Sequence, residues 1–253
     1  MTARWAARRH RDEVGEVIAV HSDRPGPLVV GGFFLVWLVA SGLTLIKPGE
    51  NLLLAVAPAV IFAIIIGLVL LYVGSEKLVV CERGLVIGSV APGLRPYVVR
   101  YEQIVPGSVV PVTGARRYGK ETGSNAFPQS TVRRNVWTGR GIHVVGPSPK
   151  EARRHNAVLA PLQDPPPLSI DGRWVWFAGT SSTPPEQVTA QIARAAGVLG
   201  LAGTASTPAD EMAARAGRSN GLTQLAQAAA QAPVRELSGN PADASRHLPG
   251  LPQ

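Results

Sequence analysis

Two apolar runs, separated by five residues, constrain this chain more than any other feature. Leu28 to Ile46 (LVVGGFFLVWLVASGLTLI) carries no charged side chain, and neither does Leu52 to Val73 (LLLAVAPAVIFAIIIGLVLLYV). At 1.5 Å of rise per residue, each run is long enough for a hydrocarbon core of about 30 Å. A helix in a globular core rarely stays apolar on every face for that distance. The link between them, Lys47-Pro48-Gly49-Glu50-Asn51, ends the first helix and is short enough to force an antiparallel hairpin. A first run of this length, followed at once by a second, does not read as a cleavable signal peptide. The expectation is a two-span transmembrane hairpin over residues 28–74.

Flanking basic residues then set an orientation. Arg4, Arg8, Arg9, Arg11 and Arg24 precede the first run, and Lys77, Arg83, Arg95 and Arg100 follow the second, whereas the link holds only Lys47. The positive-inside rule places both termini in the cytoplasm, which makes the chain a multi-pass protein of the inner (cell) membrane. Neither run contains Asp, Glu, Lys, Arg or His, so the pair reads as an anchor and not as a transport pathway. Ala55, Ala59, Ala63 and Gly67 recur every fourth residue and form a stripe of small side chains. Such a stripe lets a second backbone approach closely, either the other leg of the hairpin or another copy of the chain in a homo-oligomer.

Beyond the hairpin the pattern changes from continuous apolarity to short alternating runs. Residues 75–200 read as one cytoplasmic domain, and residues 1–27 as a basic segment ahead of the hairpin. Lys77–Glu82, Leu85–Val90, Tyr97–Ile104 and Ser108–Val112 are strand-like and joined by Gly and Pro turns, which describes an antiparallel meander. Gly141–Gly146 and Arg173–Gly179 read as two further strands. Thr183-Pro184-Pro185-Glu186 has the residues of a helix start, with Thr183 as N-cap, Pro184 in the first helical position and Glu186 closing a capping box. Val188, Ile192, Ala195 and Leu199 then share the face that suits packing on a sheet. Residues 201–253 are rich in Ala, Gly, Pro, Ser and Gln, and are expected to be largely disordered or loosely helical.

The order of a hairpin, a strand pair around Arg83-Gly84, "YVVRYEQIVPGSV" and "WVWFAGTSSTPPEQVTAQIARA" resembles the bacterial pleckstrin-homology-like membrane proteins. The resemblance covers residues 28–199. It implies a membrane α-helical hairpin joined to an α+β, mainly β, PH-like barrel closed by a C-terminal helix. It also implies a binding or scaffolding module without catalytic activity. The long stretch 114–140 departs from the compact form of that fold.

Chemistry in the residues themselves is sparse. One cysteine, Cys81, excludes an internal disulfide and a multi-cysteine zinc site, and its place among valines suits a small buried hydrophobe. The histidines 10, 21, 143, 155 and 247 show no metal-ligand spacing, and Gly139-Arg140-Gly141 lacks the rest of a dinucleotide loop. No catalytic residue, cofactor or metal site is nominated. The net charge of +8 points instead to an anionic counterpart. Its densest expression is Arg116, Arg117, Lys120, Arg133, Arg134 and Arg140, set against the single acid Glu121. These six are the candidate surface for anionic lipid headgroups or an acidic protein partner, a plain solvated loop being the competing reading. Nucleic acid fits poorly, because aromatic residues are not interleaved with the charges. Function is therefore expected to be membrane-anchored, non-catalytic binding on the cytoplasmic face. The alternatives are an accessory subunit of a larger membrane complex and a membrane-bound enzyme with a dispersed site.

Overall fold

The structure, a computed structural model, describes residues 3–23, 26–45, 52–89, 96–115, 139–152, 173–202, 212–237 and 248–250. Two short helices, α1 (Ala3–Arg8) and α2 (Arg11–Val14), lead into strand β1 (Val17–Ser22). Two long helices follow, α3 (Pro27–Leu45) and α4 (Leu52–Gly74). Strands β2 (Glu76–Cys81), β3 (Gly84–Ser89) and β4 (Tyr97–Arg100) complete an antiparallel sheet in the order β1-β2-β3-β4. The second sheet has the order β7-β6-β5-β8, built from β5 (Val110–Thr113), β6 (Arg140–Gly146), β7 (Trp174–Gly179) and β8 (Arg235–Glu236). Helix α5 (Pro149–Ala152) is a single turn, whereas α6 (Pro185–Ala202) and α7 (Met212–Gln231) pack against each other.

This is an α+β fold with two four-stranded sheets, and it corrects the expected membrane hairpin with a PH-like barrel. Among the described residues no helix is long and apolar enough to cross a membrane. The two-span hairpin, the inner-membrane multi-pass placement and the cytoplasmic assignment of both termini are withdrawn accordingly. What the helices do form is an insertion between two hydrogen-bonded strands, because Ser22 ends β1 opposite Lys77 at the start of β2. They touch each other through Trp37, whose indole N–H donates to the Ala59 carbonyl at 3.1 Å. Phe34, Leu35, Ile61 and Ile64 on the same helices remain exposed. Of the small-residue stripe, Ala59 thus meets the other leg while Ala63 and Gly67 stay exposed; the side chain of Ala55 lies outside the described residues.

The central core draws from both sheets and both late helices. Leu78, Leu85, Val99, Ile142, Trp176, Val188, Ile192 and Leu225 lie within it, all at 1% exposure or less. Trp176 meets Tyr97 edge-on at 5.0 Å between ring centroids and donates its indole N–H to the Pro147 carbonyl at 2.8 Å. An aromatic pair of that geometry adds stabilisation beyond the area it buries. Gly84 is required where the strands come closest, since a Cβ there would lie 2.6 Å from the Val99 carbonyl oxygen.

Three boundaries differ from the sequence pattern for identifiable reasons. The run Tyr97–Ile104 is not one strand: β4 ends at Arg100 and Tyr101–Gln103 turn into a single 3-10 segment. The Gln103 side chain accepts the Arg100 N–H at 3.1 Å, and the Tyr101 hydroxyl donates to the Cys81 carbonyl at 2.9 Å, so local bonds bend the chain there. Strand β1 lies in what composition marks as a basic leader. Residues 212–231, within the stretch expected to be loosely ordered, form α7 and bury Leu222, Leu225 and Ala229 against α6 and the core.

Because Leu225 is almost fully buried in that core, Leu225→Ala is expected to destabilise the protein by about 2–5 kcal/mol, the usual range for such a truncation. Chemical denaturation of the full chain checks this. An unchanged midpoint would mean that α7 is not part of the cooperative unit.

Candidate functional site

A groove between strand β1 and helix α6, with a volume of about 450 Å³, is a concave feature of the described surface. Its position follows from local sequence. Along β1, Val17 pairs with Cys81 and Ala19 with Val80, so Ile18 is the extra residue of a β-bulge. A bulge on an edge strand re-aims a side chain, and here it leaves Ile18 half exposed in the groove wall. Opposite it, α6 turns Val188, Ile192 and Ala196 into the core. The adjoining stripe of the helix brings Ala195, Val198, Leu199 and Ala202 to the groove. Val198 is 69% exposed, unusual for a large apolar residue on an otherwise well-packed helix.

Charged and polar groups rim this apolar floor. Glu82 and Arg83 come from the turn between β2 and β3, and Gln191 and Arg194 from α6. Two of the charged groups are already committed to the N-terminal segment. The Glu82 carboxylate accepts the Glu16 N–H at 3.1 Å, and the Arg83 guanidinium donates to the carbonyls of Arg11 and Asp12, each at 3.1 Å. Arg194 is exposed and has no acidic partner among the described residues.

Behind the groove, a polar latch holds β1 against the start of α6. His21 is buried at 4% exposure, with Nδ1 3.0 Å from the Thr183 hydroxyl and Nε2 2.8 Å from the Gln191 amide oxygen. An amide oxygen only accepts, so Nε2 carries the proton and Nδ1 accepts from Thr183. Burial lowers the His21 pKa below its usual value, and the Gln191 bond opposes that shift. Ser22 adds three bonds to the same loop. Its N–H donates to the Ser182 hydroxyl at 3.1 Å, and its carbonyl accepts from the Ser182 N–H at 3.2 Å and the Ser181 hydroxyl at 3.3 Å. Gly179 is needed beside this latch, because a Cβ there would collide with the Asp23 carboxylate.

Thr183 therefore does something other than the pattern predicts. The helix starts at Pro185, and the Pro184 carbonyl receives the first helical N–H groups, from Gln187 and Val188. The Thr183 hydroxyl is spent on His21 instead of on capping.

The remaining buried ionisable groups are structural. Cys81 packs with Val14, Val79 and Val86, and its thiol is pushed up to about 12, first by burial and then by the nearby Glu82 and Glu16 charges. Burial likewise raises the Tyr101 phenol, whose proton is held on the Cys81 carbonyl. His143 is fully buried in β6 and donates from Nε2 to the Pro249 carbonyl at 2.8 Å, while its Nδ1 has no partner among the described residues. That environment disfavours the imidazolium and lowers its pKa to about 4. Among the described residues, no group of three or more His, Cys, Asp or Glu could hold a metal ion.

Of the six basic residues nominated from sequence, the structure describes only Arg140, exposed at the start of β6, where its carbonyl accepts the Thr180 N–H at 2.9 Å. Arg116, Arg117, Lys120, Arg133 and Arg134 lie outside the described residues. The groove residues escaped notice because their strand was read as part of a leader. A signal was present: Val17-Ile18-Ala19-Val20, a β-branched run between Gly15 and Ser22-Asp23. No family model, curated protein or solved structure matches the chain.

The sign of the pH dependence follows from the two imidazoles. Both bind protons more weakly in the fold than in the unfolded chain, so stability is fully present above pH 6.5 and is lost as pH falls from 6.5 towards the folded values. For His143, a drop from 6.5 to about 4 is worth roughly 3 kcal/mol. Denaturation midpoints measured between pH 7 and pH 4 are expected to decline less steeply in His143→Leu than in the wild type. Parallel slopes would show that His143 does not contribute to acid sensitivity.

Proposed function

We propose that this chain is a non-catalytic binding module whose ligand surface is the groove between β1 and α6. The observation that carries the proposal is the lining: an apolar floor of Ile18, Ala195, Val198 and Leu199, held open beside a buried polar latch. A concave, mostly apolar site with a few polar groups at its rim is the usual form of a small-molecule site, and its volume falls in the customary range. The hydrogen bonds of the buried ionisable groups favour binding over catalysis. His21, Tyr101 and His143 all spend theirs on joining elements of the fold. The resemblance seen in the sequence implies a role of the same kind, and the net charge of +8 supports an anionic counterpart.

Photolabelling tests this with a site-specific readout. A dodecanol carrying a diazirine at its tail is expected to label the full chain saturably within residues 191–202, located by mass spectrometry of the digested protein. Val198→Glu places a charge on the groove floor at an exposed position, so it is expected to remove that labelling while preserving the fold. Labelling confined to α3 and α4, with none on α6, would overturn the proposal.

A further inference from the structure

We infer that the occupant of the groove is a single-chain amphiphile with a carboxylate head, held by Arg194 and Gln191. This inference rests on the groove being the ligand surface. The two residues sit one turn apart on α6 and both line the cavity, so their side chains are neighbours at its rim. Arg194 supplies an exposed guanidinium with no acidic partner among the described residues, beside an otherwise apolar floor.

The latch decides what Gln191 offers. Its amide oxygen is held by the N–H of His21 Nε2, which leaves the amide NH2 group as the end available to a ligand. The Thr183 hydroxyl, able to donate or accept, meets Nδ1 of the same ring. His21 is thus a positioning residue, and the rim presents donors on both sides of the head position. On the α6 side, a guanidinium and an amide NH2 favour an acceptor-only head, which a carboxylate is.

The same rim distinguishes among anions. Glu82 lies on the opposite wall, so a dianionic phosphate would meet more repulsion than a monoanionic carboxylate. Arg83 is committed to the carbonyls of Arg11 and Asp12, which leaves one guanidinium for one charge. A volume of about 450 Å³ suits one alkyl chain and not the paired chains of a diacyl lipid.

The test uses three photoprobes with one diazirine-bearing dodecyl tail and different heads: carboxylate, alcohol and trimethylammonium. Labelling within residues 191–202 of the full chain is expected to be strongest for the carboxylate, by about tenfold over the alcohol, and weakest for the ammonium. Arg194→Gln is expected to abolish the preference for the carboxylate over the alcohol. Gln191→Glu can still accept from His21, so it is expected to weaken carboxylate labelling without loss of fold. Equal labelling by all three heads, or an undiminished carboxylate preference in Arg194→Gln, would overturn the inference while leaving the groove as a binding surface. No labelling of α6 by any probe would remove both.

Discussion

The face of α6 carrying Val188, Ile192 and Ala196 holds the two sheets together. Each of these side chains is fully buried, and they share one core with Leu78 and Val80 of the first sheet and Ile142 and Trp176 of the second. Burying side chains of this size contributes on the order of 1.5–3 kcal/mol each, so the helix cannot leave without undoing the common core. Its other face is consequently fixed in place. The groove exists because a helix secured along one stripe must leave the neighbouring stripe, Val198 and Leu201, facing outward beside an edge strand.

Edge strands present unpaired backbone groups, and β1 occupies the open edge of the first sheet. Three features restrain it. The bulge at Ile18 breaks the regular ladder, Ser22 exchanges bonds with Ser181 and Ser182, and His21 ties the strand to Thr183 and Gln191 on α6. The polar latch is buried, so its bonds are costly to leave unmade and strongly favour a single register.

Much of this architecture was legible in the sequence, and the misses have physical causes. Strands β2, β3, β6 and β7 fell within a residue or so of their runs, because alternation and Gly turns are local signals that burial reinforces. The face of α6 was read correctly for the same reason. What failed was non-local. Pairing of β1 with β2 spans the whole α3–α4 insertion, and the parallel pairing of β8 with β5 joins residues more than a hundred positions apart. The importance of Thr183 and His21 depends on their meeting in space across 162 positions, which no spacing rule reveals. Helix α7 was legible only as loose helicity in the tail, because of its composition. Few of its side chains are bulky, yet Leu222, Leu225 and Ala229 fall on one face and find α6 waiting.

The α3–α4 insertion separates two properties that apolar sequence tends to merge. Capacity to cross a membrane is one, and no helix among the described residues is long and apolar enough for it. Exposure is the other, and Phe34, Leu35, Ile61 and Ile64 show it. These exposed side chains all stand on the α3–α4 insertion. It is rooted in β1 and β2, the strands that end at Ser22 and begin at Glu76. Any force applied through the insertion therefore arrives at the base of β1, the strand that carries Ile18 and His21. Groove and insertion are joined by a strand of six residues, and the latch on α6 lies at its insertion-proximal end.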